Sequence, residues 1–395
     1  MPRVLRIINR FNLGGPTFNA AYLSRYMAPE YETMLIGGEK ESHEESSEFI
    51  VNELGITPIV VHEMRRSINP FQDLVAYWKI RKIIKQYKPD IVHTHAAKAG
   101  TLGRLAAMHC GVPVIVHTFH GHVFHSYFGT IKTTIFKIIE RYLAKKSSMI
   151  VTISDRQKEE ICNEFKIVKP EKCTIIPLGF DLTRFQKDNS QKRELFRSKY
   201  NIKSEEVVIA IVGRVVAIKN HSLFIEALHF ATQHSTQKIR AFIVGDGDNR
   251  PTVEQKAKEL GIDFNTEKDT HFDKVLCFTS WIKEVDVVYS GCDIVALTSL
   301  NEGTPVSLIE AEATSKSIIS TRVGGIENVV IDGVTGILVE NNNAHAFGEK
   351  LVELIENEDL RSKLSEKGRE FVNNHFHYQR LVKDMGQLYG ELMAK

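Results

Sequence analysis

Val207-Val208-Ile209-Ala210-Ile211-Val212-Gly213 reads as one strand running straight into a glycine turn, and it decides the fold. A continuous apolar run rich in β-branched residues belongs to a parallel sheet covered on both faces, because neither side of it can be left in water. Working outwards, similar runs follow at 239–245, 274–278, 292–298, 317–321 and 336–339, each succeeded by a helical pattern. The same alternation precedes it, with strands expected at 3–9, 33–37, 57–61, 90–94, 113–118, 149–153 and 173–176. Between the two series lies a polar, strand-poor boundary, 177–205, that opens with Pro177 and Gly179. Two doubly wound α/β domains are therefore expected. After residue 339 only helix remains, and the last, roughly 377–393, carries Leu381, Met385, Leu388, Tyr389 and Leu392 near helical spacing. Such a stripe needs a core to dock on.

Composition agrees with two ordinary globular domains. The chain has 395 residues, 43% hydrophobic and 25% charged, which excludes disordered, collagenous and coiled-coil classes. Its 5 Cys include no C-x-x-C pair, so neither a disulfide framework nor a cysteine zinc site is suggested and a reducing cytoplasm fits best. Arg6 and Arg10 interrupt any apolar leader near the start, and nowhere do 18 apolar residues run together. The acidic stretch Glu39–Glu48 reads as a solvated loop or helix start. The net charge of +2 is unevenly spread: residues 65–146 hold 14 basic and 3 acidic residues, among them Lys79, Arg81, Lys82, Lys85, Lys88, Lys137, Arg141, Lys145 and Lys146. A solvated helix face and a surface for an anionic partner both fit that pattern.

Ligands of doubly wound sheets bind beyond the carboxyl ends of the strands, so the chemistry is expected in the loops there. Gly14-Gly15-Pro16 follows the first strand and leads into a helix, which permits close backbone approach to a phosphate, although a plain tight turn has the same composition. Gly213 and Arg214 end the strand quoted above, and Lys219 follows just before a helix near His221, placing a flexible residue and two cations at a helix N-terminus. Further on, LTSLNEGTPVSLIEAEA places Glu302 in a loop and Glu310 inside the next helix. Eight residues at ~1.5 Å rise would set the carboxylates at most ~12 Å apart, about the span of a nucleotide diphosphate. Free amide N–H groups near Gly303 and Thr304, ahead of Pro305 in the same substrate-binding loop, would face the diphosphate, with Glu310 on a ribose and Glu302 on a sugar. The bland alternative makes Glu302 a capping carboxylate and Glu310 and Glu312 solvated positions. Seven histidines crowd into 93–125, and His93 and His95 share a strand, yet no carboxylate or Cys stands at ligand spacing, so a metal site is not expected. Trp281 is placed either near a nucleotide base or in ordinary packing.

Taken together, Glu302 and Glu310 in a Glu-x7-Glu motif, Gly213-Arg214 with Lys219, Gly14-Gly15, Ile176-Pro177-Leu178-Gly179-Phe180-Asp181, Gly245-Asp246-Gly247, Val323-Gly324-Gly325 and Asp332-Gly333-Val334-Thr335-Gly336 give the chain a resemblance. It resembles the family 4 retaining glycosyltransferases of GT-B architecture over nearly its full length. The resemblance implies two Rossmann-like domains facing each other across a cleft: an acceptor domain, 1–180 completed by the last helix at about 376–395, and a nucleotide-sugar donor domain, 181–375. It implies that Arg214 and Lys219 hold the donor diphosphate, Glu310 the ribose and Glu302 the transferred sugar. Gly14 and Gly15 would approach the donor phosphates, and His120, in HTFHGH, would stand near the reacting sugar. The chain departs from the family at Ser315 and Ser317, where Gly and Pro are usual, and at Leu178, where Asn is commoner.

The expected activity is transfer of a sugar from a nucleotide diphosphate sugar, UDP- or GDP-linked, to a glycan, lipid-linked or small-molecule acceptor, as in bacterial-type polysaccharide or glycoconjugate synthesis. No cofactor, metal or nucleic-acid partner is expected, since no Asp-x-Asp pair is evident and cationic groups already face the leaving diphosphate. The expected location is the cytoplasm, with an anionic inner membrane surface as a partner left open by the basic segment 129–146. A sugar-nucleotide epimerase on the same scaffold and a nonenzymatic nucleotide-sugar sensor remain as alternatives. A nicotinamide-dependent dehydrogenase is excluded, because neither half supplies G-x-G-x-x-G with an acid about 20 residues on.

Overall fold

The computed structural model describes residues 1–11, 15–40, 48–65, 67, 69–120 and 130–395. The chain divides into two compact units, one formed by Met1–Phe180 with Phe376–Lys395 and the other by Asp181–His375.

In the first unit the strands are β1 (Arg3–Arg10), β2 (Glu32–Gly38), β3 (Ile59–Val60), β4 (Ile91–His95), β5 (Val114–Thr118), β6 (Met149–Thr152) and β7 (Cys173–Ile175). They form one parallel sheet in the order β3-β2-β1-β4-β5-β6-β7. The chain reverses direction across the sheet between β1 and β4, whose register pairs Val4 with Ile91 and Ile7 with Thr94. Helices cover both faces, so the central strands are buried on each side, as continuous apolar runs require. On one face the Pro70–Tyr87 and Ala97–His109 helices pack Ala76, Ile80, Ile84, Ala99, Ala106 and Ala107 against Leu5, Ile7, Val92 and Ile115. On the other lies the closing helix Tyr378–Met393, whose stripe Leu381, Met385, Leu388, Tyr389 and Leu392 is buried with Val4, Leu23, Met27, Val116 and Val151. At the root of this helix the Phe180 N–H donates to the Phe376 carbonyl and the Tyr378 N–H to the Phe180 carbonyl, and a Cβ on Gly179 would come within 2.7 Å of Leu381 Cβ.

The second unit repeats the plan with β8 (Val207–Val212), β9 (Ile239–Val244), β10 (Phe264–Thr266), β11 (Leu276–Phe278), β12 (Ile294–Leu297), β13 (Ser317–Thr321) and β14 (Gly336–Val339). The order is β10-β11-β9-β8-β12-β13-β14, again parallel, and the reversal falls between β8 and β12. Sequence reading omits β10, whose three residues, Phe-Asn-Thr, carry no apolar run; pairing with β11 and the hydrogen bonds of Asn265 to the 271–274 turn hold it in the sheet. Glu312 overturns the bland reading of its helix. It is fully buried, with Gly368 packed so closely that a Cβ there would lie 3.0 Å from Glu312 Cγ. Burial pushes this carboxyl well above the ordinary carboxylate range, with Thr335 acting against the shift.

Candidate active site

The loops after β8 and β12 stand at the second unit's reversal point, where a crevice for a ligand forms in such sheets. After β8, Gly213 adopts φ 152°, and a short 3-10 turn, Ala217–Lys219, leads into the His221–His234 helix. After β12, residues 298–305 lead into the Val306–Ala313 helix. The two loops are tied together: Leu300 N–H donates to Ile218 carbonyl at 2.8 Å, and the Thr298 hydroxyl to Lys219 carbonyl at 3.1 Å. Across this junction Lys219 Nζ meets Glu302 Oε1 at 2.5 Å, and the Ser299 hydroxyl donates to the same oxygen at 2.6 Å. Glu302 is thus held by Lys219 and Ser299 and does not cap the helix, whose N-cap residue, Pro305, makes no side-chain cap bond.

Glycines set the shape of this edge. A Cβ on Gly325 would lie 1.7 Å from Gly303 carbonyl oxygen, and one on Gly324 2.2 Å from that of Glu302, so the Val323-Gly324-Gly325 turn can press on the glutamate loop only because both side chains are missing. The Gly325 N–H then donates to Glu302 carbonyl at 2.8 Å. Among the described residues, the amides of Gly303 and Thr304 donate to no protein group, and those of Val306 and Ser307 belong to the first helical turn, which leaves N–H groups open. Arg214 is exposed at the end of β8 and forms no ion pair among the described residues.

Glu310 sits one helical turn inside. Its Oε2 accepts from the hydroxyl of the fully buried Tyr289 at 3.3 Å, and its Oε1 lies 4.0 Å from Arg184. Burial raises the Glu310 carboxyl to about 7, the nearby Arg184 charge and the Tyr289 bond opposing it. Only 306–310 of the interval from Glu302 to Glu310 is helical. The straight-helix separation of the sequence reading is therefore replaced by a loop and one turn.

The first unit's carboxyl edge has different chemistry. β4 and β5 bring His93, His95 and His117 into the interior, and His120 follows β5. The buried Arg6 guanidinium donates from Nη1 to the Tyr389 hydroxyl at 2.7 Å, and that hydroxyl donates to His93 Nδ1 at 2.6 Å. His93 Nδ1 is therefore the bare nitrogen, and Nε2–H donates to the Thr118 hydroxyl at 2.7 Å. The His93 and His95 rings lie 4.2 Å apart, and His95 Nδ1 meets His120 Nε2 at 2.9 Å. Burial depresses all four imidazoles, His120 to about 3, so they are neutral near pH 7. Ala96, directly after His95, is held at φ 67°, ψ 163°, a region otherwise used almost only by glycine, and such strain persists only where surrounding structure enforces it. Among the described residues no three His, Cys, Asp or Glu side chains converge as metal ligands.

Residues 13–184 match the family model described as Glycosyltransferase Family 4, and residues 192–371 that described as Glycosyl transferases group 1. The chain is 30% identical over 330 residues to an Escherichia coli protein named UDP-Gal:alpha-D-GlcNAc-diphosphoundecaprenol alpha-1,3-galactosyltransferase, covering 83% of this chain and 82% of that one. It belongs to the family 4 glycosyltransferases. This glycosyltransferase is also 25% identical over 341 residues to the Staphylococcus aureus capsular polysaccharide biosynthesis glycosyltransferase CapM, covering 84% of each. Its fold matches a Rickettsia africae glycosyltransferase at TM-score 0.80 and 23% identity, covering 99% of this chain and 98% of that one. It also matches Anabaena HepE, solved with UDP, at 0.81 and 16%, covering 99% and 100%. The GT-B architecture of two Rossmann-like domains follows.

In the glycosyltransferase, Gly213, Arg214, Lys219, Glu302, Gly303, Thr304, Pro305 and Glu310 all belong to the second unit's carboxyl edge, with Lys219 and Glu302 in contact and Arg214 apart from that pair. Gly15 opens the Gly15–Tyr26 helix, and a Cβ there would stand 3.2 Å from Leu178. Gly14, His122 and His125, and most of the acidic 39–48 stretch, lie outside the described residues. Trp281 is exposed beyond β11. Sequence reading missed Ser299, Tyr289, Arg184 and Arg6. Of these only Ser299, three residues before Glu302, had a local signal.

Proposed function

We propose that this glycosyltransferase transfers a sugar, with retention and without a divalent metal, from a nucleotide diphosphate sugar to a lipid-linked glycan acceptor at the cytoplasmic face of a membrane. The observation that carries the reading is the Lys219–Glu302 pair at the reversal point, beside the exposed Arg214 and the open amides of the 303–307 segment. A UDP-linked donor is supported by the printed name of the Escherichia coli relative and by the UDP bound to HepE. A lipid-linked acceptor is supported by that same relative and by a Campylobacter jejuni relative named for an undecaprenol-linked substrate, 25% identical over 321 residues. Among the described residues no helix is long and apolar enough to cross a membrane, which fits peripheral attachment.

In this reading the bond between the anomeric carbon and the diphosphate oxygen breaks, its electron pair leaves on the diphosphate, and the sugar gains oxocarbenium character. Arg214, Lys219 and the N–H groups of Gly303, Thr304, Val306 and Ser307 stabilise the leaving anion, and preorganised donors of this kind act without reorganisation during the step. Lys219 is pinned by Glu302 until the donor arrives, so the diphosphate shares an ammonium that is already in place. Glu302 accepts from hydroxyls of the transferred sugar and Glu310 from those of the ribose. His120, neutral and anchored by His95, offers one imidazole nitrogen to a sugar hydroxyl and carries no charge. The acceptor hydroxyl attacks from the face the diphosphate leaves, its proton passing to a diphosphate oxygen, which gives retention without an enzymic nucleophile.

The test is transfer from UDP-galactose to a prenyl-diphosphate-linked N-acetylglucosamine in excess EDTA, with the product anomer read by NMR. An α-linked product formed at an undiminished rate is expected. A β-linked product contradicts retention, and activity restored only by magnesium or manganese contradicts metal independence.

A further inference from the structure

We propose that Arg6 is a positioning residue that sets the tautomers of His93, His95 and His120, so that His120 meets the transferred sugar as a hydrogen-bond donor through Nδ1–H; this rests on the proposed contact of His120 with that sugar. Arg6 is fully buried in β1, where it pairs in register with His93 of β4. Its Nη1 donates to the Tyr389 hydroxyl at 2.7 Å and to His93 Nδ1 at 3.2 Å, and its Nη2 to the Leu23 carbonyl at 3.4 Å and to Met27 Sδ. Among the described residues Nε has no partner and no carboxylate pairs with the guanidinium. An arginine stays charged, and a buried charge without a counter-ion costs stability that an apolar side chain would not. The surroundings are largely apolar, since Leu23, Met27 and Tyr389 belong to the core beneath the closing helix. Packing therefore gives no reason for a cation here, and the ring it touches opens the row of histidines.

A guanidinium only donates, so His93 Nδ1, facing Nη1, carries no proton, and the neutral ring keeps its proton on Nε2, which donates to the Thr118 hydroxyl. The row continues to His95, whose ring centre is 4.2 Å from that of His93, and on to His120, 5.2 Å from His95. His95 and His120 are joined by the 2.9 Å contact of Nδ1 with Nε2. Both rings are neutral, so one proton lies in that contact. Two arrangements satisfy it. Either His95 Nδ1–H donates, leaving His95 Nε2 bare and His120 protonated on Nδ1, or His120 Nε2–H donates and the two outer nitrogens exchange roles.

Two features select the first arrangement. Arg6 stands at the His93 end of the row, so its charge favours the bare, negative end of the bonded pair on His95 and the N–H end on His120. In keeping with that order, the guanidinium helps to depress His93 and His95, whereas burial alone depresses His120. The second feature is burial. His95 is fully buried and its Nε2 has no partner among the described residues, so a proton there would be stranded. His120 Nδ1 also lacks a partner, but His120 ends the row at the carboxyl edge, where a ligand hydroxyl can accept from it. The sugar hydroxyl that meets His120 then accepts there, and its own proton stays free for another acceptor.

The experiment records proton–nitrogen correlation spectra of the full chain labelled with nitrogen-15 histidine, the His120 signals being assigned by their loss in His120→Ala. In the wild type, His120 is expected with Nδ1 protonated and Nε2 bare, and in Arg6→Met that preference is expected to be lost. Arg6→Lys, which keeps the charge, should retain the wild-type pattern. Because Met removes a buried charge, the melting temperature of Arg6→Met should not fall. Its turnover with UDP-galactose should fall by up to the roughly fivefold worth of one neutral hydrogen bond. Since Arg6 acts through His120, the losses should not multiply in the Arg6→Met, His120→Ala double variant. A wild-type His120 with bare Nδ1, identical tautomers in wild type and Arg6→Met, or losses that multiply would overturn the proposal, and the wild-type spectrum decides even where Arg6→Met does not fold. Full turnover in His120→Ala, with the wild-type tautomer as assigned, counts against the sugar contact and leaves the action of Arg6 on the row standing.

Discussion

The two carboxyl edges of this glycosyltransferase are built on the same sheet plan and differ in kind of charge. At the second, Arg214, Lys219 and Glu302 keep ionic groups at the loop ends, with Lys219 2.5 Å from Glu302, and Glu310 lies one helical turn inside. At the first, four imidazoles are buried and neutral around an Arg6 whose partners are a tyrosine hydroxyl, a histidine nitrogen, a carbonyl and a thioether. An anionic diphosphate suits the second unit's ionic edge, because cations and open amides gain more from a charge than from a hydroxyl. Sugar hydroxyls suit the first unit's histidine edge, since a neutral donor–acceptor network orients them without carrying a charge of its own. In the proposed reading, one plan thus serves opposite chemistry through the loops after four strands.

The contrast can be broken first at Lys219. Lys219→Ala removes a cation aimed at the leaving diphosphate and should lower turnover by about 10²–10³. His120→Ala removes one neutral hydrogen bond and should cost only about fivefold. Equal losses in the two variants, measured under saturating donor, would erase the distinction between the edges.

A smaller effect sharpens the same contrast through pH. Burial raises the Glu310 carboxyl to about 7 in the free protein, and in the proposed reading a ribose is held better by its carboxylate form. Affinity for UDP-galactose, whose diphosphate does not titrate in this range, should therefore rise about tenfold between pH 6 and 8. Glu310→Gln should flatten that rise. His120→Ala should leave it in place, since an imidazole held at about 3 changes charge far below this window. A rise that disappears with His120 would reassign the titration to the first unit.

The smallest effect concerns stability. Glu312 has a folded value raised above its unfolded one, so its carboxyl imposes no penalty below the ordinary carboxylate value and costs stability as pH climbs past it. Glu312→Leu should raise the melting temperature at pH 8 by a few degrees, equivalent to about 1–3 kcal/mol, and change it little at pH 4. A variant less stable at both pH values would mean that this carboxyl forms bonds an apolar group cannot replace.

Much of the fold was legible because burial on both faces of a parallel sheet writes long apolar runs, and because the closing helix carries its stripe at 381, 385, 388, 389 and 392. β10 was not, since three residues held by pairing leave no run to read. At the site, Gly213, Lys219, Glu302 and Glu310 were visible as residues crowded at strand ends. Tyr289 and Arg184 were invisible, because they reach Glu310 from 21 and 126 residues away in sequence. The burial of Glu312, which only the bland alternative had placed, as a solvated position, was hidden for a related reason: its neighbour across the packing, Gly368, comes from a distant helix. Arg6 looked like an interruption of apolar sequence, whereas it is the cation that orders the tyrosine and histidine behind His120.

The division of labour between the two glutamates is the centre of this account, and isothermal titration of UDP and of UDP-galactose at pH 8 into the wild type, Glu302→Gln and Glu310→Gln tests it most directly. Glu310→Gln should weaken both ligands by about tenfold, as expected when a charged hydrogen-bond acceptor becomes neutral. Glu302→Gln should leave UDP affinity within about twofold while turnover with UDP-galactose falls. If Glu302→Gln weakens plain UDP as much as Glu310→Gln does, the placement of ribose on one carboxylate and sugar on the other is contradicted.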